Sequence, residues 1–286
     1  MSAFLYYLLL KPLSLLPLRV LYVFADILYI GLFRVIGFRR KVVLGNLRNA
    51  FPEKSEAEIK QLSVRFYRHL ADLIVEGVYM FSMSPAEGIE RMRLGNPEVL
   101  TPFYEQGKSI FLVIGHYNSW EYAAFAMNPQ MAHQAAALYA PLSNPFFNEK
   151  IKEARGRCGI TLIPKQDAAR YMASARSQPI ALLMGADQSP TFSKSVHWTT
   201  FLRQETAVML GTELFSRRYD MPVFFAEIRK VQRGRYDMWF TLLEGDPRHT
   251  AAGEITEKHT RALEQQILAE PAYWLWSHRR WKRKRK

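Results

Sequence analysis

Residues 109–126 read SIFLVIGHYNSWEYAAFA. Ile110 to Ile114 is an uninterrupted apolar run closed by Gly115, the pattern of a strand buried on both faces. Asn118 and Ser119 bring turn and N-cap chemistry, and the stretch from Trp120 to Met127 has helical composition. A buried strand that turns tightly into a helix is the repeating unit of a parallel α/β sheet, and such sheets hold ligands at the carboxyl ends of their strands. His116 lies at that end.

The pattern recurs downstream. Apolar runs at Ala135 to Tyr139, Ile160 to Ile163, Ile180 to Met184, Val223 to Ile228 and Met238 to Leu243 are expected as strands. Phe146 to Arg157, Asp167 to Arg176 and Val208 to Arg218 read as helices, and a last helix is expected from Glu254 to Leu268. Ahead of the sheet, Ser55 and Glu58 form a capping-box pair before Ile59, Leu62, Phe66, Leu70, Leu73 and Ile74, which recur at helical spacing. The expected fold is α/β, with a mostly parallel central sheet flanked by helices. A chain of 286 residues buries ample core for it without cross-links. The single cysteine, Cys158, excludes an internal disulfide and any multi-cysteine metal cage. Its place at the start of an apolar run suits a small packed residue better than a nucleophile.

Lysine and arginine exceed aspartate and glutamate by 39 to 26, a formal charge of +13 gathered at Arg39-Arg40-Lys41 and from Arg279 to Lys286. Such a surface attracts anions, whether lipid headgroups, an acidic carrier protein or nucleic acid. Residues 1–40 are apolar and aromatic but interrupted by Lys11, Arg19, Asp26 and Arg34. They are expected as a membrane-anchoring helix, either one tilted span from about Leu18 to Phe38 or a helix lying in the interface. Arg39 to Lys41 would then hold residues 41–286, a single domain ending in the basic aromatic tail, on the cytoplasmic side. A helical hairpin packed on the protein body is the alternative, because Asp26 is costly in lipid. At the other end PAYWLWSHRRWKRKRK sets three tryptophans beside the basic cluster, and indole rings favour the headgroup zone. Nucleic acid suits the tail but leaves the apolar N-terminus unexplained, so a membrane is the expected partner.

His116 has an acid five residues on, Glu121, yet the same spacing occurs at His249–Glu254 and His259–Glu264. On a continuous helix residues five apart diverge by about 140°. His259 and Glu264 sit mid-helix and read as a solvated face, and His249 follows a turn with no strand to hold it. At His116 the strand end and turn let the chain fold Glu121 back toward the imidazole. A carboxylate on one ring nitrogen fixes the tautomer and lets the other nitrogen take a proton from an attacking hydroxyl. A strand-end histidine making one ordinary hydrogen bond is the competing reading. No metal-ligand cluster, dinucleotide fingerprint or phosphate-cradling loop is visible, so neither a metal nor a nucleotide cofactor is expected.

GHYNSWE resembles the signature block of the bacterial lipid A late acyltransferases, the lauroyl/myristoyl acyltransferase family, whose pattern is Gly-His-aromatic-Gly-Asn-Trp-Glu. The similarity extends to RRKVVLGNLRNAFPEKS, LYAPLSNPFFNEKIKEARGRCGITLIPKQDAARYM, ALLMGADQSP, TTFLRQETAVMLGTELFSRRYDMPVFFAEIRK and PAYWLWSHRRWK, nearly the whole chain. It implies transfer of a fatty acyl chain from an acyl carrier protein thioester, as co-substrate, to a hydroxyl of a lipid A precursor or related glycolipid at the inner membrane. It also implies His116 as general base with Glu121, and Tyr139, Asn144, Lys165, Asp187 and Gln188 as residues lining the acceptor or thioester cleft. Three of the latter have a plainer reading: Asp187 as a cap after a strand, Asn144 as a turn residue before Pro145, Lys165 as a solvated cation.

Three departures stand out. Asn118-Ser119 replaces Gly-Asn, Ala140 stands where an arginine follows the tyrosine, and Arg203 stands where a glycine is usual. The missing cation leaves Lys165 or Arg203 to bind phosphate, or points to another acceptor, an aminolipid, a phosphoinositol mannoside or a glycerolipid. The rival from another class is a non-catalytic membrane-surface or nucleic-acid-binding protein in which His116 and Glu121 are structural.

Overall fold

The computed structural model describes residues 1–174, 178–190 and 195–285. Among them nine strands form: β1 (Met92–Leu94), β2 (Ile110–Ile114), β3 (Gln134–Tyr139), β4 (Thr161–Pro164), β5 (Ile180–Gly185), β6 (Val196–Phe201), β7 (Gln204–Met209), β8 (Val223–Gln232) and β9 (Arg235–Glu244). Seven join one sheet in the order β1-β9-β8-β2-β5-β3-β4. All neighbours run parallel except β8 and β9, an antiparallel hairpin. The alternation of side chains along β2 explains its uniform apolarity: Ile110, Leu112 and Ile114 enter the core on one face of the sheet, Phe111 and Val113 the core on the other.

The expected α/β class and mostly parallel sheet are present, with two corrections of detail. The helix expected over Val208–Arg218 begins only at Gly211 and runs to Tyr219, because Val208 and Met209 complete β7. β6 and β7 form a separate antiparallel hairpin closed by Leu202 and Arg203, both with positive φ. The helix expected over Asp167–Arg176 is described as Ala168–Ala173; Arg176, like Lys286 of the tail, lies outside the described residues.

The N-terminal stretch folds as two helical arms, Ser2–Ser14 and Leu18–Val35, bent by 118°. No single helix is long and apolar enough to cross a membrane among the described residues. The single span expected from Leu18 to Phe38 is not formed as one uninterrupted α-helix. The α-helix ends at Ile30, a π-helical turn continues to Val35, and Gly37 and Arg39, both in the left-handed region, redirect the chain into a helix at Arg40–Ala50. Leu18, Leu21, Ala25, Tyr29 and Phe33 are buried, and this arm packs on the capped helix Glu56–Tyr79. Val20, Val23, Phe24, Ile27 and Ile30 stay exposed on the outer side. Asp26 pairs at 2.8 Å with Arg233 in the β8–β9 turn, so the body of the protein, not lipid, neutralises it.

Candidate active site

Sheet order brings the site together. β2 and β5 are neighbours with Ile114 beside Gly185, so His116 and Asp187, each two residues past its strand, emerge side by side. The imidazole lies close over β5: a Cβ on Gly185 would fall 2.9 Å from His116 Cε1, so a larger residue there displaces the ring. Asn118 follows in the left-handed region at φ 53° and donates from Nδ2 to the Ile228 carbonyl. That conformation accounts for glycine at this place in the related pattern, and asparagine is among the side chains that tolerate it.

His116 Nδ1 donates to Asp187 Oδ1 at 2.6 Å. Asp187 Oδ2 accepts from the His116 backbone N–H at 2.9 Å and from Trp274 Nε1 at 2.8 Å. Burial alone would raise the Asp187 pKa, but the His116 charge and these hydrogen bonds prevail and hold it well below the usual carboxylate range. An ionised acceptor on Nδ1 leaves the lone pair of the neutral ring on Nε2, where the Gln188 amide donates at 3.2 Å. Burial opposes protonation of His116, yet the Asp187 charge and hydrogen bond, with the Glu121 charge, outweigh it and raise the pKa above the ordinary histidine value. The Trp120 ring meets the imidazole edge-on at 5.2 Å.

Glu121 is not the hydrogen-bond partner of His116. It lines the same cleft, but its carboxylate is held by Arg155 in a two-pronged ion pair at 2.7 and 2.6 Å. The short turn between β2 and the helix Trp120–Ala126 starts Glu121 toward the Pro145–Gly156 helix that carries Arg155, while the strand neighbouring β2 supplies the acid for the imidazole. The cleft, about 260 Å³, runs past His116, Gln188, Tyr139 and Lys165 between apolar walls that include Ala124, Ala137, Leu162 and Leu183. Asn144 lies outside those walls: it caps the Pro145–Gly156 helix by accepting from Phe147 N–H, and it donates to Ser2 Oγ of the N-terminal arm.

Sequence reasoning passed over Trp274 and Arg155. Trp274 reaches Asp187 from the C-terminal segment, and its place in a tryptophan-rich basic tail pointed to a lipid surface instead. The indoles of Trp274, Trp276 and Trp281 are in fact buried, their N–H groups donating to Asp187, the Pro271 carbonyl and Thr206 Oγ1. His259 is likewise buried rather than solvated, because its helix packs on β6 and β8. Arg203 sits in the β6–β7 turn opposite Glu53, away from the cleft walls, so among the described residues Lys165 and Arg155 are the cations that line the cavity. Cys158 is buried and its thiol is pushed up by burial, a poor nucleophile. Among the described residues no group of three or more His, Cys, Asp or Glu side chains is placed to hold a metal ion.

Two comparisons bear on this arrangement. The chain is similar to the palmitoleoyltransferase of lipid A biosynthesis from Escherichia coli K12, with 22% identity over 254 residues, 85% of this chain and 79% of that protein. It matches the lipid A biosynthesis acyltransferase of Shigella flexneri to the same extent. The family model described as bacterial lipid A biosynthesis acyltransferase covers residues 1–283, and the chain belongs to that family of acyltransferases.

Proposed function

We propose that the protein transfers a fatty acyl chain from an acyl carrier protein thioester to a hydroxyl of a lipid A precursor or a related glycolipid, with His116 as general base. The observation that carries this reading is the His116–Asp187 pair opening into a cleft with apolar walls and two cations. An acceptor hydroxyl displaces the Gln188 amide from Nε2 and gives its proton to that nitrogen as its oxygen attacks the thioester carbonyl. The freed amide is then available to donate to the oxyanion. Collapse of the tetrahedral intermediate breaks the carbon–sulfur bond, and the departing thiolate takes the proton back from the imidazolium. The products are the acylated lipid and the carrier thiol, with no acyl-enzyme. Asp187 stays ionised throughout and stabilises the imidazolium. Glu121 keeps Arg155 in place and adds its negative field, while Arg155 and Lys165 face the anionic part of the acceptor where Ala140 provides no charge.

The same reading puts the protein on the cytoplasmic face of the inner membrane. The exposed apolar side of the N-terminal arms supports an interfacial seat. Nearby, two adjoining cavities are walled by cations, among them Arg39, Arg40, Lys41, Arg279 and Lys284, with Arg48 on one wall paired to Glu56 at 2.8 Å. Such a surface suits anionic headgroups and an acidic carrier protein.

The test is direct. Detergent-purified protein, a radiolabelled acyl carrier protein thioester and a lipid A precursor should yield labelled glycolipid. The label should vanish with His116→Ala. A folded, lipid-bound wild type that transfers nothing, or a His116→Ala variant of near-normal turnover, would sink the mechanism.

A further inference from the structure

A second, much smaller cavity also touches Asp187. At about 10 Å³ it has room for about one water molecule. His259 and Arg280 line it together with Phe201, Phe225 and Leu263. Arg280 is only 3% exposed, and arginine is seldom buried without a partner. Among the described residues its Nε has no hydrogen-bond partner, and neither has Nε2 of His259. Burial pushes His259 down to about 4, so its ring is neutral near pH 7 and, with its proton on Nδ1, presents a lone pair at Nε2. Asp187 accepts three hydrogen bonds, which leaves one of its roughly four lone-pair sites. One water in this cavity can accept from Arg280 Nε and donate to Asp187 and to His259 Nε2, which satisfies both orphaned nitrogens.

We infer that Arg280 is a positioning residue for the His116–Asp187 pair: its buried charge, linked to Asp187 by that water, opposes the pull of the carboxylate on the imidazolium and so favours the neutral form of the His116 ring. The inference rests on the reading of His116 as the base. It also accounts for a buried arginine whose Nε has no partner among the described residues, behind the carboxylate that holds His116. Other charges reach the imidazole as well. Asp187 and Glu121 favour its protonated form and Lys165 opposes it, while Arg155 lines the cleft. His278 accepts from the Ser189 N–H and feels both Asp187 and Arg280, and His197 and Glu257 border His259. None of these is altered in the variants below.

Arg280→Met and Arg280→Gln remove the charge, and Arg280→Lys keeps it. The titration of His116 is read by NMR on carbon-13-labelled histidine, assigned by its loss in His116→Asn, beside the pH profile of acyl transfer. Loss of a nearby cation favours imidazolium, so the His116 midpoint should rise by about half a pH unit or more in the Met and Gln variants and stay put in the Lys variant. Turnover below the midpoint should fall about 3-fold, recover at higher pH, and leave KM unchanged. A packing role would weaken all three variants without moving the midpoint. An unmoved midpoint in Met and Gln, an equal rise in Lys, or failure of all three to fold overturns the inference. Because the titration needs no substrate, a wild type that transfers no acyl chain would end the acyltransferase reading while the midpoint still judged Arg280.

Discussion

In the proposed mechanism the imidazole of His116 serves as a base only while Nε2 carries the lone pair, and Asp187 secures that by accepting from Nδ1. Asp187→Asn offers an amide that can settle the wrong tautomer, so kcat should drop by about 10²–10⁴-fold with little change in KM, measured by initial rates of labelled lipid formation. The pH dependence has a definite sign. The base must be neutral and its pKa is raised, so activity should climb with pH along an acid limb centred above the ordinary histidine value of about 6.5. Glu121→Gln removes a negative charge that favours the imidazolium yet can still accept from Arg155, so the limb should move to lower pH. A pH–rate profile that moved upward would contradict this assignment. His116 and its turn were legible from a strand ending before Asn-Ser. Its partner was not, because Asp187 is 71 residues away and becomes a neighbour only when β2 and β5 pair in register.

At the scale of elements, two local structures carry costs that substitution can expose. The β6–β7 hairpin turns on two residues, Leu202 at φ 48° and Arg203 at φ 62°, the left-handed geometry that glycine adopts without strain. The Arg203–Glu53 ion pair spans 3.4 Å between exposed side chains and adds little. Arg203→Gly should therefore stabilise the protein by about 1 kcal/mol in denaturant unfolding. The second is Glu76, buried on the Glu56–Tyr79 helix and accepting from Tyr22 and Tyr236. Burial, only partly offset by these hydrogen bonds, pushes its pKa from 4.5 up to about 7. Between those values the folded state binds more proton than the unfolded one, so the Glu76 contribution to stability falls as pH rises across that window, by at most about 3 kcal/mol. Glu76→Gln should flatten that slope in unfolding measured from pH 4.5 to 7. The sequence showed Arg203 only as a departure from a glycine pattern; neither the turn nor its flanking strands were legible, since Val208 and Met209 run into helix-compatible sequence.

For the whole molecule, the proposed membrane seat rests on the N-terminal arms and the basic cavities. Phe24→Ser with Ile27→Ser should cut vesicle binding by at least about tenfold in flotation assays, since both side chains are exposed and apolar. Neutralising Arg39, Arg40 and Lys41 to glutamine should weaken binding to anionic vesicles and lessen its salt dependence, with little effect on neutral ones. Equal binding by every variant would remove the membrane seat.

Local patterning by itself determined the buried strands, the capped helix over Glu56–Tyr79, the turn that presents His116 and the two basic clusters, because each follows from the periodicity and chemistry of neighbouring residues. Only the tertiary structure decided what those pieces meet. Sheet order gave His116 its carboxylate, the Pro145–Gly156 helix claimed Glu121 through Arg155, and closure of the C-terminal segment drew Trp274 and Arg280 inward from a tail that reads as surface. A buried polar group takes whichever partner the packed elements bring within hydrogen-bond reach, and sequence spacing does not fix that choice.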